Sequence, residues 1–254
     1  MDNLGEAQSV NRGIWTQPHG THPSITTSLP RMLSLLSKHN IKATYFIESW
    51  SLSVYPSIVQ QLISAGHEVA WHAYQHEVWH VQTETEEKQN FEKSFAAAAE
   101  AGVIYKGFRP PGGRLNERTW ELLKEHGVGY ASPLGKFGVE DGTVVLPFEW
   151  RGVDAFYYMD KFEGIRKEEG EKGSAMTPRE FEEFLLRRIE QTKREGGYLS
   201  VLFHPFLTTD DERFGVMDEV VRKLSEDGEI WCAPCGQVAE WVREHEGEFG
   251  FEKE

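Results

Sequence analysis

The chain has 254 residues, 39% of them hydrophobic and 27% charged, which is enough apolar material for a full core and suggests one domain over residues 1–254. Its 41 acidic and 27 basic residues leave a formal charge of −14, which repels phosphate backbones and anionic lipid and argues against nucleic-acid and membrane partners. No apolar run approaches the ~18 residues of a spanning helix, and the first residues lack a charged start followed by an apolar stretch, so a cytoplasmic location is expected.

In chain order, "SITTSLPRMLSLLSKHN" carries Leu29, Met32, Leu33 and Leu36 at helical spacing, and "IKATYFI" follows as a short buried strand. A helix "PSIVQQLISAG", stopped by Gly66, leads into the strand "HEVAW". The next helix, "TETEEKQNFEKSFAAAAEAG", opens with the capping pattern Thr83 to Glu86 and closes at Gly102. A strand "YKGF", a helix "NERTWELLKEHG" and strands around "VGYAS" and "TVVLPFEW" come next. The stretch "DKFEGIRKEEGEKGSAM", rich in charge and glycine, predicts a surface loop over 160–176. Thr177 then caps a helix with Pro178 at its first position. "YLSVLFHP" predicts a buried strand, "FGVMDEVVRKLSEDG" a helix, "EIWC" a strand and "CGQVAEWVREHEG" a last helix before a tail at 246–254. Strands alternating with helices predict a parallel sheet, closed as a barrel or open and doubly wound, and no glycine-rich phosphate fingerprint follows any strand. Polar residues recur just past the predicted strand ends: Glu48, His72, His76, Arg109, Asp154 and His204.

The stretch "GHEVAWHAYQHEVWH" holds His67, His72, His76 and His80, four of the chain's ten histidines. His72 and His76 are four apart, so both rings can reach one metal from a single turn or tight loop. A solvated or core-satisfied pair has the same spacing; a third, oxygen ligand would decide between them. His67 and Glu68 open the predicted strand, and Glu68 or Glu77 could orient a ligating ring. Cys232 and Cys235 in "CAPCG" lack a second cysteine pair and read as packing residues. Trp15, Trp50, Trp71, Trp79 and Phe206 either wall a pocket or fill the core, the second being commoner for aromatics near strand ends.

Taken together, "IKATYFIESW", "GHEVAWHAYQHE", "FRPPGGR" and "LFHPF", in this order and at these separations, resemble the NodB-homology polysaccharide deacetylase family, carbohydrate esterase family four. The sequence is most similar to its branch with peptidoglycan deacetylase-like, allantoinase-like and cyclic imide hydrolase proteins. The resemblance implies a deformed (β/α) barrel and a divalent metal, zinc first, with cobalt, manganese or nickel as alternatives. It implies His72 and His76 as metal ligands and Asp2, in "MDNLGEA", as the third, matching the second aspartate of a D-x-D motif. The first aspartate, which acts as base in the family, would then precede Met1, as would the strand carrying it. Arg109 matches the arginine that orients that aspartate, Asp154 the acidic residue of the fourth motif, and His204 the general-acid histidine. The expected activity is hydrolysis of an amide, removing acetyl from an N-acetylated sugar. A small cyclic amide is the alternative substrate, and a weakly active or inactive binding scaffold the alternative class. The branch also implies a homo-oligomer.

Overall fold

The computed structural model describes residues 1–248; six of the nine positions of the expected tail, 249–254, lie outside the described residues. The described chain packs as two compact units. One comprises Met1, 23–41 and 148–232; the other comprises 2–22, 42–147 and 233 onward.

The second unit holds a six-stranded mixed sheet. Its strands are β1 (Thr44–Ile47), β2 (Glu68–Trp71), β3 (Gly107–Phe108), β4 (Tyr130–Ala131), β5 (Gly138–Glu140) and β6 (Thr143–Val145), in the spatial order β1-β2-β3-β4-β6-β5. All neighbours are parallel except β5 and β6, which form an antiparallel pair around Asp141 and Gly142. Beyond β1, Asp2 makes a single parallel bridge to Phe46. The N-terminal residues therefore already meet the edge that the sequence pattern had left to a missing strand.

Helices between the strands form where local chemistry favours them. The helix Glu84–Ala101 starts with the expected capping box, Thr83 and Glu86 each bonding the other's backbone, and ends at Gly102 in the left-handed region (φ +67°). Trp71 and Trp79, both fully buried, pack with Phe91 and Phe108; Trp79 Nε1 donates to Thr119 Oγ1 at 3.0 Å. These two tryptophans are core and not pocket wall. At the far ends of the strands Glu68 accepts from Thr44 Oγ1, Tyr130 OH and the Gly236 backbone N–H, which ties the helix Cys235–Glu244 to the sheet.

The other unit is helical. The predicted helix at 24–38 begins as a π-helical turn, Ser24–Ser28, and continues as Leu29–Lys38, burying Leu29, Met32 and Leu36. Pro178–Glu195, capped by Thr177 as expected, packs on Asp211–Glu226 through a core that includes Phe181, Leu185, Val216 and Met217.

Three predicted elements differ. The stretch "YLSVLFHP" forms one bridge, Leu202 to Val153, and is assigned to no strand. "EIWC" forms no strand, and Trp231 is 56% exposed. The 160–176 stretch contains a 3-10 turn, Asp160–Phe162, and a helix, Glu163–Glu168. Its order comes from Arg166, which is fully buried and donates to the carbonyls of Phe156, Met159 and Gly173 at 2.5, 2.9 and 3.0 Å. Of the charged residues there only Arg166 is buried; Asp160, Lys161, Glu163, Lys167, Glu168, Glu169 and Lys172 are exposed. No helix among the described residues is long and apolar enough to cross a membrane.

Candidate active site

In the sheet unit, the residues that follow parallel strands carry the chemistry, as the geometry of such sheets favours. Glu48 follows β1, His72 follows β2, Arg109 follows β3 and Ser132 follows β4. Backbone bonds continue the ladder to these residues, His72 N to Ile47 O at 3.0 Å and Arg109 N to Trp71 O at 2.9 Å, and so fix where each side chain starts.

Arg109 is 2% exposed. Its Nη1 donates to Asp2 Oδ1 at 2.8 Å, its Nε and Nη2 donate to Ser132 Oγ at 3.2 and 2.9 Å, and its guanidinium lies over the Phe46 ring, 4.1 Å from the centroid. Ser132 Oγ passes its own hydrogen to Leu146 O at 2.6 Å. The guanidinium is thus held from three sides and presented to a carboxylate that is itself 5% exposed.

His72 and His76 come together with ring centroids 4.9 Å apart at 75°. His72 Nδ1 lies 2.6 Å from Arg109 O. A carbonyl only accepts, so Nδ1 carries a hydrogen and, in the neutral ring, the lone pair is on Nε2. His76 Nδ1 lies 2.7 Å from the Gln8 amide nitrogen. The loop holding the pair is strained, with Ala73 at φ +63° and His76 at +66°, a region that costs a residue with a side chain about 1–3 kcal/mol.

Beside this group, Glu48 is 1% exposed and accepts from Asn3 Nδ2 at 2.7 Å and Leu4 N at 3.0 Å. Burial pushes its carboxyl up to about 8; the two donors oppose that shift and the nearby charge of Asp2 adds to it.

Asp2 Oδ1 is committed to Arg109, and among the described residues no three His, Cys, Asp or Glu side chains gather as a metal-holding group. Two imidazoles and a carboxylate suit a divalent ion in kind, and Asp2 would supply that carboxylate through the oxygen that Arg109 does not hold. Neither glutamate proposed as an orienter holds a ring: Glu68 serves Thr44, Tyr130 and Gly236, and Glu77 accepts from Gln75 N. The Arg109 carbonyl does that work for His72. His67 takes the Ala43 N–H on Nδ1 at 3.1 Å and is lowered to about 4, chiefly by burial, which makes it a neutral structural ring.

In the helical unit, Asp154 and His204 form a second constellation. Asp154 is fully buried; its Oδ1 meets His204 Nδ1 at 2.5 Å and its Oδ2 accepts His204 N at 2.7 Å. The bridge between Val153 and Leu202 sets this register. With Nδ1–H directed at a carboxylate, the neutral ring carries its lone pair on Nε2. The ring of Phe206 lies 5.1 Å from that of His204.

Reading along the sequence missed Ser132, Asn3 and Gln8. A serine one step past a strand carries no spacing signal. Asn3 and Gln8 sit in "DNLGEAQ", where only Asp2 had a motif to match.

Known proteins agree with this architecture. A family model described as polysaccharide deacetylase matches residues 18–131. The peptidoglycan deacetylase of Helicobacter pylori is 31% identical over 146 residues, covering 57% of this chain and 47% of that protein; the chain spans about half or less of the length of the first curated relatives it matches. A Mycobacterium smegmatis structure assigned as a polysaccharide deacetylase superposes with TM-score 0.78 at 27% identity, over 88% of this chain and 79% of that one. Puue allantoinase shares the fold, with TM-score 0.74 at 17% identity over 88% of this chain and 74% of that one. Motifs, sheet and likenesses converge: they support the NodB-homology polysaccharide deacetylase family as the one this chain resembles.

Proposed function

We propose that this chain hydrolyses the amide of an N-acetylated sugar in a polysaccharide of the peptidoglycan type, with Asp2 as the base. The observation that carries this reading is the buried Asp2–Arg109 pair. The family resemblance gives the arginine the task of holding the catalytic aspartate, and here Arg109 holds Asp2. Asp2 therefore takes the part of base.

In the reaction, Asp2 takes a proton from water as its oxygen bonds to the acyl carbon. Arg109 balances the buried carboxylate and fixes its direction, which keeps the proton acceptor aligned. The carbon–nitrogen bond then breaks, the nitrogen takes a proton, and acetate and a free amine result. The family resemblance gives that proton to His204, and within its own unit Asp154 fixes the His204 ring and tautomer. The His72/His76 pair binds an oxygen group of the reacting assembly. The name of the Helicobacter pylori relative favours an N-acetylated sugar over a cyclic amide. Acetate release from N-acetylglucosamine oligomers and from peptidoglycan fragments, compared with ring opening of a cyclic imide, tests the reading. Acetate release from the sugars is expected; turnover of the imide alone would overturn the substrate class.

A further inference from the structure

The segment that carries Asp2 meets β1 through one isolated bridge, Asp2 to Phe46, and belongs to no strand. A lone bridge fixes register weakly, and a slip of one residue along β1 would turn Asp2 away from Arg109. The bonds that hold the register lie in residues 3–6. Asn3, in the left-handed region at φ +63°, turns the chain off the bridge, and its Nδ2 donates to Glu48 Oε1 at 2.7 Å. Leu4 N donates to Glu48 Oε2 at 3.0 Å, and Leu4 O accepts from Ser51 Oγ at 2.7 Å. Farther along, Glu6 accepts from Tyr55 OH and, at 2.8 Å, from Gly20 N. Glu48 is 1% exposed, and Ser51 and Glu6 are fully buried. A carboxyl placed there costs free energy that an apolar side chain would not. What Glu48 adds is direction: two acceptors at a fixed spacing for two donors on consecutive residues. It is itself fixed, standing between the end of β1 and the helix Ser49–Val54.

We propose that Glu48 is the positioning residue of Asp2: by gripping Asn3 and Leu4 it locks the N-terminal segment in the one register that brings Asp2 Oδ1 to Arg109 Nη1. Glu48 touches neither Asp2 nor Arg109 through a hydrogen bond of its own; it acts through the two residues that follow Asp2. Ser51 and the Glu6–Tyr55 bond steady the same segment farther from Asp2, so Glu48 is the grip whose loss frees Asp2 first. The inference rests on the function proposed above only for its effect on turnover; the register is a property of the chain at rest.

The first readout needs no substrate. Urea unfolding of the full chain measures the coupling between Asp2 and Arg109 from the cycle of Asp2→Asn and Arg109→Met, once with Glu48 in place and once in Glu48→Met. Glu48→Met keeps the volume and removes both acceptors; the coupling present in wild type is expected to be lost. In Glu48→Gln, whose amide oxygen still accepts Leu4 N, it is expected to persist. Should Glu48→Met fail to fold, Asn3→Gly, which suits the left-handed backbone and removes one of the two bonds, takes its place and should weaken the coupling. Coupling unchanged in whichever of these variants folds would overturn the proposal. The second readout is acetate release from an N-acetylglucosamine oligomer. A base displaced by about 1 Å loses about 10²-fold in rate, so Glu48→Met should lower kcat by that factor with KM within a few-fold, and Glu48→Gln should recover most of it. In an Asp2→Asn background Glu48→Met should cost nothing further, because its effect runs through Asp2. An equal loss in both backgrounds would overturn the proposal, since Glu48 would then act elsewhere. If Asp2→Asn alone keeps wild-type kcat, the role of Asp2 as base fails, and the unfolding cycle still decides whether Glu48 sets the register.

Discussion

Arg109→Met removes the cation from a pair whose side chains are 3% and 6% exposed and whose atoms meet at 2.8 Å. Asp2 would then be a buried carboxylate without its counter-charge, and Ser132 would lose both guanidinium donors. Breaking a buried pair from one side costs about 3–5 kcal/mol, most of it from the stranded charge. At about 2–4 °C per kcal/mol for a chain of this size, Tm falls by about 6–20 °C. Asp2→Asn/Arg109→Met removes that charge as well, so the double variant should be more stable than Arg109→Met alone, with a coupling of about 2 kcal/mol. The pH dependence has a definite sign. A stranded Asp2 has its folded pKa raised above its unfolded value, so Arg109→Met is least impaired at low pH and loses stability as pH rises through that raised value. Thermal and urea unfolding followed by circular dichroism measures all four proteins of the cycle. Additivity within about 0.5 kcal/mol, or a deficit independent of pH, would refute the coupling.

Glu48, raised to about 8 from an ordinary 4.5 chiefly by burial, binds its proton in the folded chain after the unfolded chain has released it. Stability from this group is therefore full below about pH 4.5 and is lost as pH rises through about 8; Glu48→Gln should flatten that part of the stability profile, and an unchanged slope would show that Glu48 is ionised in the fold. Asp154→Asn leaves His204 without its fixed tautomer and should lower kcat by about 10²- to 10⁴-fold with little change in KM, as steady-state acetate release would show. An equal rise in KM with kcat preserved would mean that the pair binds substrate and does not deliver a proton.

What the sequence made legible was local. The capping boxes at Thr83 and Thr177 span three residues each, and Gly102 ends a helix by its own backbone freedom, so no distant partner had to be known. The polar residues past β1, β2 and β3 stood out for a similar reason: short apolar strands end visibly. The partner of Asp2 was not legible, because Arg109 lies 107 residues away and either aspartate of a motif can be matched by eye. Apolar runs misled at "YLSVLFHP" and "EIWC", where hydrophobicity alone does not say whether a ladder partner exists. At 160–176 composition misled, since one buried Arg166 gathering three carbonyls outweighs a stretch of exposed charge. A carboxylate's partner is set by tertiary geometry that spacing does not record.

The role of Asp2 is tested most directly by Asp2→Asn, nearly isosteric and still able to meet Arg109 through its amide oxygen. Acetate release from an N-acetylglucosamine oligomer, with folding confirmed by circular dichroism, should show kcat lower by about 10²- to 10⁴-fold and KM within a few-fold of wild type. A variant that folds and retains wild-type kcat would contradict the assignment of Asp2 as the base.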